Sequence, residues 1–397
     1  MKGHLTNKEQ MWAQHNEEWR DPAQIISQWE DAHQLDRRLL DYNIKGQWWA
    51  ILNRLKIYLL VSREYEHLML AIGAKAHGPE ISYMRIPHPS GIVVNHRRDL
   101  IYIASTRNPN QIFEMGLSKG LADRKDILRK RTRKPIGYNV MVPLRTFFYP
   151  GSLYIHDLAI IGNNLYANAV GHNAVVRLSL SFDGRYEYVW WPVCMENGKG
   201  PITEANYIQL NSIAAGQTIQ DSFFSASADS ISQRRPGHIN FPVNKRGVVF
   251  SGKTRKPICY GLTRPHSARC YDGKIWVDNS GYGEFGYIEK EKFVSIVSLP
   301  GWTRGLYIEG GVAFVGASKV IPRFYRYAPG LDIARSRCGI YAIELKTGKI
   351  LGSIQWPHGN QIFAVEGISD RFCHGFVHQY LSCRSSVQIK NLFYAFK

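Results

Sequence analysis

Four short apolar runs separated by tight turns, all within residues 263–301, are the feature that most limits the folds open to this chain. The runs cover residues 266–271, 274–279, 284–288 and 293–299. Asp272 and Gly273 supply the left-handed backbone positions of a tight hairpin, and β-branched and aromatic residues fill the runs. No helical period is present, so the segment predicts a four-stranded antiparallel meander, which is typical of one propeller blade when it repeats.

The same order of runs returns elsewhere in the chain. Residues 303–357 and residues 156–192 each contain four comparable runs with glycine or asparagine at the turns. A proline stands at each junction between units, and it suits this place because it cannot donate a hydrogen bond to a strand ladder. These junction prolines are Pro87, Pro150, Pro192, Pro265, Pro300 and Pro357. Six junctions predict six blades.

The ends of the repeat region predict how the ring closes. After the last junction only one strand remains, at residues 361–368, whereas three strands precede the first junction, at residues 58–62, 67–73 and 81–86. One late strand and three early strands make a complete sixth blade, which leaves no open sheet edge at either end. We therefore predict an all-β fold, a six-bladed β-propeller over residues 57–369 closed by its N-terminal strands.

The two ends of the chain differ from the blades. Residues 1–56 carry apolar side chains at roughly helical spacing, and Asp21 before Pro22 resembles a helix start, so we predict an N-terminal helical extension. Residues 370–397 form a C-terminal tail with no blade pattern. No apolar run approaches the length of a membrane span, and the N-terminus lacks the apolar core of a secretory signal. These features predict a cytoplasmic protein without a membrane span.

The net charge of +18 indicates an anionic ligand or partner. Residues 124–134, in a long insertion, contain seven basic residues. Such a run could contact nucleic-acid phosphates, but no aromatic residue is interleaved to stack on bases, which disfavours nucleic acid. A solvated loop, an anionic small molecule or peptide substrate, and an acidic protein partner all remain compatible with the charge.

The first residues of the innermost strands surround one mouth of a propeller channel, so polar side chains there are the candidate site. Three histidines, His88, His156 and His266, are predicted ligands of a divalent transition metal. The predicted catalytic residues are His156, His266, Arg304 and Glu366. The predicted substrate-binding residues are His88, Asp157, Asn211, Arg269 and Gln361. A metal at this place would polarise a carbonyl or activate water, and Arg304 would neutralise developing negative charge.

Two functions remain open at this point, because propellers serve both as enzymes and as scaffolds. One is a metal-assisted hydrolase, lyase or isomerase of a biosynthetic or tailoring pathway, with its site at the channel mouth. The other is a scaffold whose basic loop and N-terminal helices bind an acidic partner, the histidines then being polar lining of the channel. Converging ionisable side chains beneath a pocket favour the enzyme.

Several motifs resemble one known family. IHDLA at residues 155–159, LNSIA at 210–214, the long run 264–288 and QIFAVE at 361–366 occur in the order found in a family of conserved bacterial proteins of unknown function, which is similar to six-bladed propellers. The resemblance spans residues 59–368 and implies the same fold without an established activity. One departure concerns the site, since Gln209 stands where the family usually has histidine.

Overall fold

The computed structural model describes Thr6, Gln10 and residues 35–76, 78–107, 110–118, 140–181, 183–238, 240–376 and 378–379. These residues form six antiparallel sheets arranged as the blades of a β-propeller, which confirms the predicted fold. In chain order, β1 (Asn43–Gly46) and the helix α1 (Trp48–Leu55) precede β2 (Ile57–Arg63), β3 (Leu68–Lys75) and β4 (Gly78–Arg85). In the described residues, no helix has both the length and the apolar character that crossing a membrane requires.

The blades follow one another along the chain. Blade 1 contains β5 (Pro89–Asn95), β6 (Leu100–Ser105), β7 (Asn110–Ser118) and β8 (Val140–Tyr149). Blade 2 contains β9 (Ile155–Ile161), β10 (Asn164–Ala169), β11 (Ala174–Leu178) and β12 (Tyr186–Trp190). Blade 3 contains β13 (Leu210–Ala214), β14 (Phe223–Ala226), β15 (Gly247–Ser251) and β16 (Pro257–Leu262). Blade 4 contains β17 (Pro265–Tyr271), β18 (Lys274–Asn279), β19 (Glu284–Glu289) and β20 (Lys292–Ser298).

The last two blades use chain segments from both ends. Blade 5 contains β21 (Trp302–Glu309), β22 (Val312–Ser318), β23 (Gly339–Glu344) and β24 (Ile350–Gln355), with β1 as a fifth, outer strand. Blade 6 begins with β25 (Ala364–Ser369), which pairs with β2, and continues through β3 and β4 to β26 (His378–Gln379). Short 3-10 helices lie at Arg37–Leu40, Val170–His172, Val193–Met195, Ser280–Tyr282, Pro322–Tyr327 and Ile333–Arg335.

The pairing of β2 with β25 closes the ring as predicted. Leu60 faces Glu366 across this pair, and Ser62 faces Ala364. The Ser62 hydroxyl accepts a hydrogen bond from the Ala364 N–H at 3.0 Å and donates one to the carbonyl of Ser90, in blade 1, at 2.7 Å. One buried hydroxyl therefore joins both ends of the propeller and the next blade.

The N-terminal segment differs from its prediction. The helix α1 is present, and its buried face contains Trp48, Ile51 and Leu52. The prediction of helix is wrong for Asn43–Gly46, which form a strand on the edge of β24. Gly46 permits this close pairing because its φ is +61° and a Cβ atom there would lie 2.4 Å from the carbonyl oxygen of Leu351. The helices predicted before residue 35 lie outside the described residues.

Two other predicted segments have mixed outcomes. The tail was expected to begin after residue 369, but its first part packs on the propeller: Phe376 is buried, and its N–H donates to the Ser82 hydroxyl at 2.7 Å. Residues 380–397 lie outside the described residues. The basic run at residues 124–134 lies outside them too, so its binding of an acidic partner stays a prediction.

Two insertions cover the mouth of the channel near blades 4 and 5. We call residues 227–238, 240–246 and 319–338 the cap. Apolar residues of the cap cluster around the first residue of β21: Ala228, Phe241, Val243, Val320, Tyr327 and Ala328 pack with Trp302. The two insertions are joined by the Tyr327 hydroxyl, which donates to the Gly237 carbonyl at 2.5 Å. The cap thus has its own small core above the ring.

Candidate functional site

Four successive inner strands are preceded by a residue in the left-handed backbone conformation. His88, Tyr154, Gln209 and Arg264 have φ values of 43°, 52°, 49° and 54°, and each stands directly before β5, β9, β13 or β17. None is glycine, so each carries a conformational cost of about 1 kcal/mol that the surrounding structure must offset. Such residues gather at functional sites, and here they all stand at one mouth of the channel.

Buried asparagines hold these turns in place. Asn110 accepts a hydrogen bond from the Tyr154 N–H at 3.3 Å. Asn173 accepts one from the N–H of Ile208, just before Gln209, at 3.3 Å. Both amide groups also donate to backbone carbonyls. Because these bonds satisfy buried backbone groups, they fix the path of the chain as it enters each inner strand.

Bulges then turn the side chains that follow. In five blades the register between the first and second strands shifts near the mouth. A bulge bends its strand and re-aims the side chains beside it. The result is a cavity in the channel, called here the channel cavity, with about 250 Å³ of space including its opening. Its lining consists of His156, Asp157, Asn211, Ser212, His266, Ser267, Arg269, Arg304, Gly305, Phe363 and Ala364.

The hydrogen-bond partner of His156 determines which of its ring nitrogens carries the proton. Its Nδ1 atom lies 3.4 Å from Nη2 of Arg304. A guanidinium group only donates, so Nδ1 accepts and the hydrogen is on Nε2. Nε2 is buried and has no hydrogen-bond partner among the described residues. Burial, and then the charge of Arg304, hold the pKa of His156 well below its usual value, so the ring is neutral.

His266 is held in the opposite tautomer. Its Nδ1 atom lies 2.7 Å from the backbone carbonyl of Arg264 and 3.0 Å from the Ser280 hydroxyl. A carbonyl only accepts, so Nδ1 donates and Nε2 keeps a free lone pair. Burial, followed by the charges of Arg304 and Arg264, lowers the pKa of His266 well below its usual value. One cavity therefore presents an imidazole donor and an imidazole acceptor.

Two arginines, the buried Arg264 and the half-buried Arg304, give the mouth its positive charge. The Arg304 guanidinium lies 3.2 Å from the ring centre of Phe363, and burial lowers its pKa only to about 10, so it stays charged at neutral pH. Arg264 donates to the side chain of Gln209 at 2.7 Å and to the carbonyl of Pro236, in the cap, at 2.9 Å. Within the described residues, neither arginine has a carboxylate within 4.0 Å. Arg304 lines the channel cavity, so its charge is available to a ligand.

Glu64 supplies a negative charge at the mouth of the channel. It belongs to a group of side chains, called here the rim group, that also contains His67, His88 and Gln361. Its carboxylate accepts a hydrogen bond from the Thr106 hydroxyl and another from the Gln361 amide at 3.2 Å. Burial would raise the pKa of Glu64, but the nearby His88 and the charges of Arg107 and Arg304 outweigh it and hold the pKa well below its usual range. Glu64 is therefore ionised and, because its pKa is so low, unsuited to take up a proton near neutral pH.

Two predicted site residues belong to this rim group and not to the channel cavity. His88 lies with Nδ1 3.8 Å from Glu64, and its ring is 4.3 Å from that of His67. Gln361 holds Glu64 and accepts a hydrogen bond from the Tyr65 N–H at 3.2 Å. Both side chains have structural partners, which leaves direct substrate contact by either residue a prediction.

Three predicted residues form a charged group that links the blades. Arg269 donates to both oxygens of Asp157, at 2.8 and 3.2 Å, and Asp157 also accepts from the Ile213 N–H at 3.0 Å. This pair joins blades 2, 3 and 4. Glu366 lies close enough to feel the charge of Arg269, yet burial raises the pKa of Glu366 to about 7. Its predicted catalytic role stays a prediction, since it is not among the residues that line the channel cavity.

The described residues contain no ready-made ligand set for the predicted divalent metal, which stays a prediction. Among them, no group of three or more His, Cys, Asp or Glu side chains is arranged to hold a metal ion. His88 stands beside Glu64 and does not line the channel cavity with His156 and His266. The charges of Arg304 and Arg264 next to His156 and His266 would also repel a dication. The arrangement favours an anion.

Sequence reasoning missed Glu64, Arg264 and Phe363. Arg264 stands in the same repeat position as Tyr154 and Gln209, so aligning the starts of the inner strands would have found it. Glu64 follows β2 in a short loop, and Phe363 precedes β25; both reach the site only because the ring closes between those strands.

The comparisons with known proteins agree with this fold. A family model described as a domain of unknown function, DUF4915, matches residues 46–374. No curated protein matches the chain. Among solved structures, a chain of the nidogen/laminin complex is similar at 7% identity and a TM-score of 0.51, with 79% of this chain and 99% of that chain covered. At this identity the likeness shows the fold alone.

Two further solved structures are similar with lower scores. One is a candidate gluconolactonase, at 12% identity and a TM-score of 0.38, with 70% of this chain and 90% of that chain covered. The other is dihydro-heme d1 dehydrogenase in complex with DHE, at 9% identity and a TM-score of 0.34, with 79% and 59% covered. These scores carry no functional argument, so function has to be inferred from the site itself.

Proposed function

This chain belongs to the DUF4915 family, and we propose that it binds a small anionic molecule in the channel cavity and moves a proton on it, as an isomerase or a lyase. The observation that carries the proposal is the pair of opposite tautomers, with His156 donating and His266 accepting beside the charged Arg304. This combination supplies a base, a hydrogen-bond donor and an anion-binding group in one enclosed space.

Each of the three groups has its own role. Arg304 binds the carboxylate or phosphate of the ligand, because its guanidinium has no carboxylate partner among the described residues. His266 takes a proton from the carbon next to the anionic or carbonyl group through the free lone pair of Nε2. Besides burial, the charges of Arg304 and Arg264 lower the pKa of His266, so an anion bound at Arg304 offsets that charge and raises the basicity of the ring in the complex. His156 donates a hydrogen bond from Nε2–H to the oxygen on which negative charge develops. Because the ring is neutral, it stabilises this oxygen as a hydrogen-bond donor and keeps its own proton.

Binding is tested with simple anions. Titration calorimetry would measure acetate, glycolate and inorganic phosphate at constant ionic strength, with wild type, Arg304→Met and the control Arg177→Met. Arg177 is a matched arginine on β11, the third strand of blade 2, paired with Glu187 at the surface. We expect Arg304→Met to weaken binding roughly tenfold to a hundredfold, since a charged hydrogen bond is lost. Equal affinity of the two variants for every anion would contradict the proposal.

Proton transfer is tested by isotope exchange. Small 2-hydroxy and 2-oxo carboxylates would be incubated with the protein in D₂O. Proton NMR would follow the loss of the signal of the hydrogen on the carbon next to the carboxylate in the hydroxy acids, and next to the carbonyl in the oxo acids. We expect exchange for at least one bound acid with wild type and its loss in His266→Gln. If these acids bind tightly but none of them exchanges hydrogen, the protein binds anions without catalysing proton transfer, and the proposed isomerase or lyase activity is overturned.

A further inference from the structure

A second cavity, called here the outer cavity, shares Arg304 with the channel cavity. This outer cavity has about 310 Å³ of space including its opening. Its apolar lining consists of Tyr65, Trp302, Ile321 and Phe324. A ligand whose charged group contacts Arg304 would therefore place the rest of its structure against these side chains or in the channel.

The aromatic wall is assembled from three separate parts of the chain. Tyr65 comes from the loop after β2, Trp302 begins β21, and Phe324 belongs to the cap. The rings of Tyr65 and Phe324 are nearly parallel, with centroids 6.1 Å apart, and the Trp302 ring meets that of Phe324 edge to face at 5.2 Å. Three rings from three segments meet at the opening above Arg304.

Besides Arg304, four polar residues line the outer cavity: Lys319 and Asn360 are exposed at its edge, and the side chains of Ser318 and Gln361 are already used by the protein. The Ser318 hydroxyl donates to the Ile362 carbonyl at 3.1 Å and accepts from the Ile362 N–H at 3.0 Å. Gln361 bonds to Glu64 and to the backbone of Tyr65. A sugar or another polyhydroxyl body would need polar partners of this kind, whereas an apolar body needs only the ring faces.

We infer that the ligand is an amphipathic acid, with an anionic group held by Arg304 and an aromatic or other apolar ring held in the outer cavity by Tyr65, Trp302 and Phe324. The inference rests on the proposed anion site and adds the chemical class of the molecule bound there. His156 and His266 line the cavity on which the proposed chemistry depends, and the aromatic rings line the other, so the anion faces His156 and His266. The ring faces outward under the cap.

The experiment compares the affinities of three probes: acetate, which has the charge alone; phenylacetate, which has the charge and a ring; and 2-phenylacetamide, which has the ring without the charge. Burial of a phenyl ring should make phenylacetate bind roughly tenfold or more tighter than acetate, since about 100 Å² of apolar surface leaves water. Phenylacetamide lacks the charge and should bind at least about tenfold more weakly than phenylacetate. This comparison needs no variant, so it stands even if a cap substitution disturbs folding.

A variant then locates the ring. Phe324→Ala should remove most of the advantage of phenylacetate over acetate and leave acetate binding unchanged, while the control Phe148→Ala, an aromatic residue 52% exposed on outer strand β8, should change neither. Acetate binding that depends on Arg304 with no gain for phenylacetate would overturn this inference and leave the anion site standing. Equal binding of phenylacetate and phenylacetamide, or no binding of any probe, would overturn both.

Discussion

Nη2 of Arg304 lies 3.4 Å from Nδ1 of His156, and this contact joins blade 5 to blade 2 across the mouth of the channel. Because the guanidinium can only donate, it fixes the tautomer of the imidazole and also opposes its protonation. The same guanidinium lies over the ring of Phe363, which precedes the strand that closes the propeller. Ring closure and the electrostatics of the site are therefore connected at one side chain.

Replacing Arg304 by methionine should raise the pKa of His156. Burial is the larger cause of its low pKa and remains in the variant, so the rise should be partial. A pH titration followed by NMR of the His156 ring protons would measure it. Arg177→Met serves as the control and should leave the titration unchanged. An unaltered His156 pKa in Arg304→Met would show that the two side chains do not interact in solution.

Glu366 should make stability depend on pH in a defined window. Burial raises its folded-state pKa to about 7 from an ordinary value of 4.5, so folding favours the protonated acid. Its stabilising contribution is complete below about pH 4.5 and is lost as pH rises through about 7. The variant Glu366→Gln keeps a neutral side chain, so it should gain stability relative to wild type across that window. Thermal melts of both proteins at pH 4.5, 6 and 8 would measure this. A difference in melting temperature between variant and wild type that is the same at all three pH values would contradict the raised pKa.

Replacing Asn168 by alanine should lower the free energy of unfolding, because the Asn168 side chain makes several hydrogen bonds. Its side chain is fully buried, accepts from the His156 N–H at 3.0 Å and donates to the Leu210 carbonyl at 2.9 Å. Asn168→Ala leaves these backbone groups without partners and should cost about 2–4 kcal/mol of unfolding free energy. Denaturant unfolding would measure the loss. The exposed Asn163→Ala should change it by less than about 0.5 kcal/mol, and equal effects would contradict this role.

The six-bladed ring could be predicted from the sequence because the sequence signals of its strands and turns are local and repeated. Asp272 and Gly273 mark a hairpin, and prolines mark the junctions; the three early strands predicted at residues 58–62, 67–73 and 81–86 overlap β2, β3 and β4. The strand β1 was not predicted, because Asn43–Gly46 form a strand only by pairing with the edge of β24. Nothing in the local sequence of Asn43–Gly46 announces that edge.

The site was predictable in part for the same reason. His156, Asn211 and His266 are each the second residue of an inner strand and Arg304 is the third residue of its own, and the structure does bring them to one cavity. His88 also stands near the start of an inner strand, but its left-handed backbone places it beside Glu64. Backbone twists of this kind depend on tertiary hydrogen bonds, which the sequence does not display. The cap and its rings were beyond sequence reasoning because they meet only in three dimensions.

The tautomers of His156 and His266 are the most direct test of the site, because the proposed base and donor depend on them. Long-range nitrogen–proton NMR correlations on ¹⁵N-histidine protein at pH 7 distinguish the two neutral tautomers from each other and from the charged ring. Spectra of His156→Gln and His266→Gln would assign the signals. The structure predicts that His156 carries its proton on Nε2 and His266 on Nδ1, both rings neutral. Identical tautomers at the two positions, or a doubly protonated ring at either, would contradict the account.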